Sequence, residues 1–241
     1  MNIGFENKNV LVTGATRGIG NKIANDMLSA GANVIATGTS EKSLHLLDDN
    51  FSKICVDFLN PNSVKRFIDL LSDREIDICV NNAGINKISP IVDIDQNDWS
   101  NIIEVNLTTP FKIIKTISRN MIKNNYGRII NISSIWGIIG KEQRVCYSSS
   151  KFGIMGLTVS AAAELAKHNV LINSVSPGFT RTDLTRNILG EDEMNRISKT
   201  IPMQRMAEPS EISNVVMFMC SDLNSYISGQ NIIVDGGFTN V

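Results

Sequence analysis

Histidine and cysteine are scarce in this chain. The two histidines, His45 and His168, stand far apart, and the four cysteines (Cys55, Cys79, Cys146 and Cys220) include no Cys-x-x-Cys pair. A metal centre built on thiolate and imidazole needs clustered ligands, and a disulfide scaffold needs a denser cysteine set. Neither is expected here. Cys55 and Cys79 lie in apolar runs and read as buried, reduced thiols, which points to a reducing, cytoplasmic location. Blocks of like charge are also missing. The 23 basic and 24 acidic residues give a net charge of -1, which argues against nucleic acid or an anionic membrane surface as a partner. No apolar run approaches the roughly 18–20 residues needed to cross a bilayer. The opening residues carry no apolar leader and run straight into a strand pattern. Internal repeats and low-complexity tracts are absent.

What is present is an ordinary hydrophobic fraction, 42% of 241 residues, enough for the core of one α/β domain. Lys8 to Gly14 is a short β-branched run that ends on glycine. Gly14-Ala-Thr-Arg-Gly18-Ile-Gly20 follows, and a helical pattern then runs from Asn21 to Ala30. Strand, glycine turn and helix form the context of a phosphate cradle, because glycines let backbone approach a pyrophosphate and a helix N-terminus offers free N–H groups. The spacing, Gly-x-x-x-Gly-x-Gly, also suits a plain tight turn. A second strand, Asn33 to Thr37, leads into Gly38-Thr39-Ser40-Glu41-Lys42. A site for unphosphorylated NAD would place an acid at about Thr37 to grip the ribose. Thr37, Thr39, Ser40, Arg17 and Lys42 instead suit a 2′-phosphate, so NADP is favoured.

Asp57 closes a third strand pattern, Ser52 to Asp57, ahead of a helix from Pro61 to Leu71. It reads either as an acceptor for an adenine amino group or as a helix-entry carboxylate. Ile76 to Val80 is a continuous apolar run, as in a strand covered on both faces, and ends in Asn81-Asn82-Ala83-Gly84, a small, amide-rich turn suited to a ribose. Strand patterns at Arg128–Ile132, Val170–Val175 and Asn231–Val234 alternate with helical stretches at 99–105, 107–124, 147–167 and 209–220. This alternation predicts one α/β domain over residues 1–241, a doubly wound parallel sheet with helices on both faces. The polar stretch at about 184–207 reads as a mobile helical flap outside the core.

The chemistry gathers between Ser134 and Lys151. Tyr147 and Lys151 are four residues apart, on one face of a helix. A phenol has a pKa of about 10, and an ammonium one turn away is expected to favour the phenolate. Tyr147 would then exchange a proton with a carbonyl or alcohol oxygen as general acid/base, while Ser134 holds that oxygen. Tyr-x-x-x-Lys alone is a common pattern, and its meaning rests on its surroundings.

Taken together, Thr13-Gly-Ala-Thr-Arg-Gly-Ile-Gly20, Asn81-Asn-Ala-Gly84, Asn106, Ser134, Tyr147-x-x-x-Lys151 and Pro177-Gly178 resemble the classical short-chain dehydrogenase/reductases, in that family's order and spacing. The resemblance implies a Rossmann-type, seven-stranded sheet and a catalytic tetrad of Asn106, Ser134, Tyr147 and Lys151. It also implies an NADP(H) site made of Gly14, Thr16, Arg17, Gly18, Ile19, Gly20, Thr37, Thr39, Asp57, Phe58, Asn82, Ala83 and Gly84. Tyr147 and Lys151 would join it on the ribose side, and Pro177, Gly178, Thr180 and Thr182 near the nicotinamide. Gly127-Arg-Ile-Ile-Asn-Ile-Ser-Ser134, Ser176-Pro-Gly-Phe-Thr-Arg-Thr-Asp183 and Tyr226-Ile-Ser-Gly-Gln230 are similar to the 3-oxoacyl-[acyl-carrier-protein] reductase branch, implying a part in fatty acid biosynthesis. The chain departs from that branch at Asn86-Lys87-Ile88, at His168 in place of a basic residue, and at Trp136, which either narrows a substrate cleft or fills core. A keto-sugar or another small ketone therefore stays open as substrate beside a carrier-bound one. A non-catalytic dinucleotide sensor would have no need of the four tetrad residues together.

One expectation concerns assembly. Between Phe152 and Ala163 the long helix has no charge, and its apolar residues point around the whole circumference. Leu107 to Ser118 is interrupted only by Lys112 and Lys115. A helix on one sheet face needs one apolar stripe. The surplus is expected to meet the same helices of a second subunit, with Ala162 in the interface, and the family resemblance implies a homotetramer.

Overall fold

Alternation within Asn9–Val12, the first strand (β1), divides the interior into two layers. Val10 and Val12 enter one apolar cluster and Leu11 the other, because successive strand side chains point to opposite faces. The computed structural model describes residues 3–241. Met1 and Asn2, which the sequence reading includes in the domain, lie outside the described residues, as do the side chains of Asp183, Leu184, Asn187 and Ile188 in the expected flap.

The other strands are β2 (Asn33–Gly38), β3 (Ser52–Cys55), β4 (Ile78–Asn81), β5 (Gly127–Ile132), β6 (Val170–Pro177) and β7 (Asn231–Val234). All pair in parallel, in the order β3-β2-β1-β4-β5-β6-β7. Every residue of β4, β5 and β6 is buried, as parallel strands covered on both faces require. The order reverses between β1 and β4, which opens a crevice at their carboxyl ends.

The helices in chain order are α1 (Gly18–Ser29), α2 (Glu41–Leu44), α3 (Pro61–Ser72), α4 (Gln96–Ile103), α5 (Thr109–Asn124), α6 (Val145–Leu165), α7 (Asp183–Ser198) and α8 (Pro209–Cys220). Their starts are written locally. Asn60 accepts the N–H groups of Asn62 and Ser63 ahead of Pro61 in α3, and Glu208 with Glu211 closes a capping box on α8. Ile23 and Met27 of α1 join Ile212, Val216 and Met219 of α8 on one face of the sheet. Phe67 and Leu71 of α3 join Ile113, Ile117 and Met121 of α5 on the other. Each such side chain contributes about 1.5–3 kcal/mol by leaving water.

Three expectations change. Cys55 is exposed, because β3 is the sheet's edge and that residue faces outward. The stretch at 184–207 is not a bare flap: Met194, Ile201 and Met206 are buried and pack with Phe179, Ile197 and Phe238 as a small third cluster. Gly190, at φ 71 and ψ 166, breaks α7 within it. Ala162 is buried inside the chain, next to Gly229, and so cannot be a surface contact. The buried residues of α6 are Cys146, Ser150, Lys151, Ile154, Thr158 and Ala162, leaving Phe152 and Val159 outside at 48% and 56% exposure.

Candidate active site

The glycine turn between β1 and α1 is held from beneath. Gly14 has φ +65, and a Cβ there would stand 2.9 Å from the Ala83 Cα, so only glycine allows the β4 loop to lie this close. A Cβ on Gly20 would collide with Asn82 Nδ2 and the Gly14 carbonyl. Asn82 Nδ2 donates to the Thr13 and Gly14 carbonyls at 3.0 and 3.1 Å. Thr13 Oγ1 accepts the N–H groups of Asn82 and Ala83 at 3.0 and 3.1 Å. Thr13 was not among the residues singled out as binding groups, although it sits directly before Gly14. Its hydroxyl joins the two loops.

Thr37 belongs to the same scaffold and not to the surface. It is buried, and its Oγ1 accepts the Gly14 N–H at 3.2 Å. The expectation that it faces a cofactor is corrected: it shapes the turn. Around it, Thr16 packs against Gly38, which brings the Arg17 and Thr39 loops side by side, both residues exposed. Ser40 caps α2 by accepting the Ser43 N–H. Glu41, the acid in this loop, is turned to the Cys55 thiol, which burial and that carboxylate push upward in pKa. Asp57 is exposed and accepts the Leu59 N–H at 2.9 Å, the helix-entry arrangement, while Phe58 points inward and packs on Phe67 at 5.9 Å. Phe58 can therefore meet a ligand only through its backbone.

Pro177 and Gly178 end β6 across the crevice, and Gly178 N–H bonds to the Val234 carbonyl at 2.9 Å. Thr180 Oγ1 donates to the Gly178 carbonyl at 3.2 Å. Thr182 caps α7 by accepting the Thr185 N–H at 3.1 Å, and its methyl stands 3.4 Å from where a Gly18 Cβ would be. Thus the β6 loop closes over the start of α1, beside Ile19. Trp136, Phe179 and Phe238 meet edge to face with centroids 5.3–6.1 Å apart, so Trp136 fills the cluster under this loop.

Ser134 leaves the carboxyl end of β5 and caps a short turn by accepting the Trp136 N–H at 3.2 Å. Its side chain faces the Tyr147 phenol closely enough to act on the phenol's pKa. Lys151 lies one helical turn on, with Nζ 5.5 Å from the centre of the Tyr147 ring. Its ammonium donates to the Ile132 carbonyl at 2.7 Å, and Ser133 Oγ holds the Lys151 carbonyl at 3.0 Å. Burial drives Lys151 down from its ordinary 10.5 to about 8. Burial also raises the Tyr147 phenol above its usual 10, opposed by the Ser134 hydroxyl and the Arg144 guanidinium. The expected acidification of Tyr147 by Lys151 is therefore corrected for the protein's own groups. Desolvation outweighs the neighbouring charge, and the ammonium is directed at a backbone carbonyl.

Asn106 lies in a five-residue π turn, Glu104–Thr108, between α4 and α5. Pro110 explains the break: it has no N–H to offer the Asn106 carbonyl four residues back, and its ring crowds that carbonyl. The turn aims the amide at Ile85, whose N–H it accepts at 2.8 Å and whose carbonyl it binds at 2.9 Å. Asn106 Nδ2 also donates to Ser150 Oγ at 3.0 Å, and Ser150 Oγ donates to the Tyr147 carbonyl at 2.7 Å. Both ends of this amide are thus used on the loop after Gly84 and, through Ser150, on the Tyr147 helix. Lys151 Nζ and Asn106 Oδ1 both lie within 3.7 Å of the place a Gly84 Cβ would take.

The glycine turn, the Asn82–Gly84 loop, Thr182, Asn106 and Lys151 thus lie against one another at the carboxyl ends of the strands. Among the described residues no helix is long and apolar enough to cross a membrane, and no cluster of His, Cys, Asp or Glu could hold a metal ion. The profile of the family described as Enoyl-(Acyl carrier protein) reductase matches residues 14–239. The chain is 41% identical to the 3-oxoacyl-[acyl-carrier-protein] reductase FabG of Aquifex aeolicus (strain VF5), over 98% of this chain and 99% of that one. Among solved structures, a short-chain type dehydrogenase/reductase from Mycobacterium marinum superposes with a TM-score of 0.89 at 31% identity, covering 99% and 98% of the two chains. A gluconate 5-dehydrogenase from Burkholderia cenocepacia J2315, in complex with NADP and tartrate, superposes with a TM-score of 0.90 at 28% identity, covering 100% and 98%. A glycine cradle at the sheet's switch point, a Ser134–Tyr147 pair beside a buried lysine, and whole-chain similarity of this kind have one reading: the chain belongs to the short-chain dehydrogenase/reductase family of oxidoreductases.

Proposed function

We propose that the protein is an NADPH-dependent reductase that converts the ketone of a 3-oxoacyl thioester to a secondary alcohol. The carrying observation is the pairing of Ser134 and Tyr147 beside Lys151 at the mouth of the glycine cradle, in a chain similar throughout its length to a 3-oxoacyl-[acyl-carrier-protein] reductase. The cradle fits a dinucleotide, since Gly14, Gly18 and Gly20 bring bare backbone to the turn and the α1 N-terminus faces it. Arg17 and Thr39, with Lys42 nearby, would take the 2′-phosphate. Asn82, Ala83 and Gly84 would line the ribose, and the loop from Pro177 to Thr182 would cover the nicotinamide. Bound NADPH supplies the hydride that arrives at the carbonyl carbon.

The chain's own groups do the rest. Ser134 and Tyr147 together fix the carbonyl oxygen, and Tyr147 gives it a proton as negative charge develops there. Burial keeps the phenol protonated until that moment, which suits an acid in the reduction direction. Lys151 holds positive charge beneath the phenol and stabilises the phenolate left behind. Asn106 acts through Ile85 and Ser150, fixing the loop and the helix that carry these groups. The Trp136–Phe179–Phe238 cluster shields the crevice from the side of α7.

The reading includes self-association and a reducing, cytoplasmic setting, which the four free cysteines fit. Phe111 of α5 and Phe152 and Val159 of α6 are 47–56% exposed, a patch that a second copy of the same two helices would cover. Ile233 on the edge strand β7 is 41% exposed, which suits a second interface and a homotetramer. A second substrate reading, a hydroxy or keto sugar acid, is favoured by the close superposition on the gluconate 5-dehydrogenase.

NADPH oxidation on acetoacetyl thioesters, compared with keto-gluconates, tests the proposal. Turnover on the thioester is expected, and Tyr147→Phe should reduce it by ~10²–10⁴-fold, the range for loss of a general acid. A Tyr147→Phe enzyme of near-normal rate would sink the assignment of the proton donor.

A further inference from the structure

Arg144 is the residue of this site that no role above uses. It is the N-cap of α6, three residues before Tyr147, so it shares the helix face that carries the phenol. Its backbone is held at both ends: its N–H bonds to the Lys141 carbonyl and its carbonyl accepts the Ser148 N–H at 2.7 Å. The loop before it is pinned across the cleft, where Ser89 N–H bonds to the Gln143 carbonyl at 3.1 Å. Arg144 is partly buried. No ion pair or side-chain hydrogen bond engages it among the described residues. The nearby cation of the same cleft, Lys87, is by contrast neutralised by Asp98 at 2.6 Å. The ionisable group that bears on Arg144 is the Tyr147 phenol itself.

A cation that has lost part of its hydration and gained no partner is costly unless a ligand completes it. Its position narrows the ligand. Ser134 and Tyr147 define where the reacting oxygen sits, and Arg144, almost one helical turn before Tyr147, is near enough for its charge to act on the phenol. A planar fork of N–H donors matches a carboxylate with two parallel bonds. A neutral thioester carbonyl offers only one acceptor and no charge.

We propose that Arg144 is a specificity-determining residue that binds a carboxylate of the substrate, and that the enzyme acts on oxo acids or hydroxy acids whose carboxylate lies a few bonds from the reacting carbon. The inference rests on the reading that the carbonyl oxygen is held by Ser134 and Tyr147. It extends the substrate range beyond the thioester to the free acid, and it gives the sugar-acid reading a physical basis.

Acetoacetate and methyl acetoacetate present the same ketone with and without the charge. Their NADPH-dependent kcat/KM values are to be measured for the wild type, Arg144→Gln and Arg144→Lys. Arg144→Gln is expected to lose at least tenfold more on acetoacetate than on the ester, and Arg144→Lys, which keeps the charge but not the fork, should recover part of that difference. Equal losses on both substrates would overturn the proposal, since they would mean that Arg144 acts only through Tyr147. Calorimetric titration of acetoacetate into each protein with NADP⁺ present supplies a readout that needs no turnover. At least tenfold weaker binding to Arg144→Gln supports the carboxylate contact, and unchanged affinity refutes it. Loss of turnover on every ketone in the wild type, with charge-selective binding intact, would count against the reductase reading and leave the anion site standing.

Discussion

Replacing Lys151 by methionine should separate the stability of this fold from its chemistry. The lysine is buried at 4% exposure, and its pKa falls from 10.5 to about 8 because burial disfavours the charged form. At about 1.4 kcal/mol per pH unit, the ammonium destabilises the folded state by about 3 kcal/mol near pH 7. The sign is set by proton uptake. Below pH 8 both states are charged and the whole penalty applies. Between pH 8 and 10.5 the unfolded chain binds more protons than the folded one, so stability rises with pH as the penalty fades. By pH 9.5 about half of it or less remains. Methionine keeps most of the stem's volume and removes the charge. It also strips the Ile132 carbonyl of its 2.7 Å donor, at a cost of about 1–3 kcal/mol at every pH. The net change at pH 7 is therefore small, from nothing to about 2 kcal/mol in favour of the variant. The pH dependence is the sharper quantity. Urea unfolding of both proteins at pH 7 and pH 9.5 should show the wild type gaining about 2 kcal/mol relative to Lys151→Met over that interval. The variant should meanwhile be nearly inactive. A stability difference that does not move with pH would refute the claim that Lys151 is held as a strained cation, and with it the account of its role beneath Tyr147.

Two further outcomes follow from the surface of the site and of α6. Arg17→Ala should weaken NADPH binding by roughly tenfold, about 1.4 kcal/mol, and NADH binding much less, as read by fluorescence titration; equal losses would mean that Arg17 only shapes the turn. Val159→Glu puts a charge into the exposed apolar patch of α6 without touching the core, so sedimentation velocity should show the assembly breaking into smaller species while circular dichroism stays unchanged. A wild type that already sediments as a monomer at micromolar concentration removes the interface.

Local pattern carried much of this protein in plain view. The seven strand patterns lie within a residue or two of β1 to β7, because short runs rich in apolar and β-branched residues between turn residues show in sequence. The glycine turn was legible because backbone crowding by Asn82 and Ala83 leaves no room for a Cβ. The pairing of Tyr147 with Lys151 follows from 3.6 residues per turn alone. Pro110 also marks the break at Asn106 in the sequence.

Other features depend on partners far away in the chain, which no periodicity encodes. Thr37 turns inward because Gly14, 23 residues earlier, needs an acceptor. Lys151 gives its proton donors to Ile132, 19 residues away, so that burial, rather than the neighbour one turn below, governs the phenol. Cys55 is exposed since β3 ends the sheet, a matter of strand order and not of apolar neighbours. The stretch after β6 gains its own small core only when Phe238, from the other end of the chain, reaches Phe179 and Trp136. Arg144 is one arginine in a polar loop until the fold sets it beside Tyr147 without a counter-charge. The sequence by itself determined which chemistry the chain carries. Desolvation and long-range contacts, which exist only once the sheet has closed, decided how each of those groups is charged and where it points.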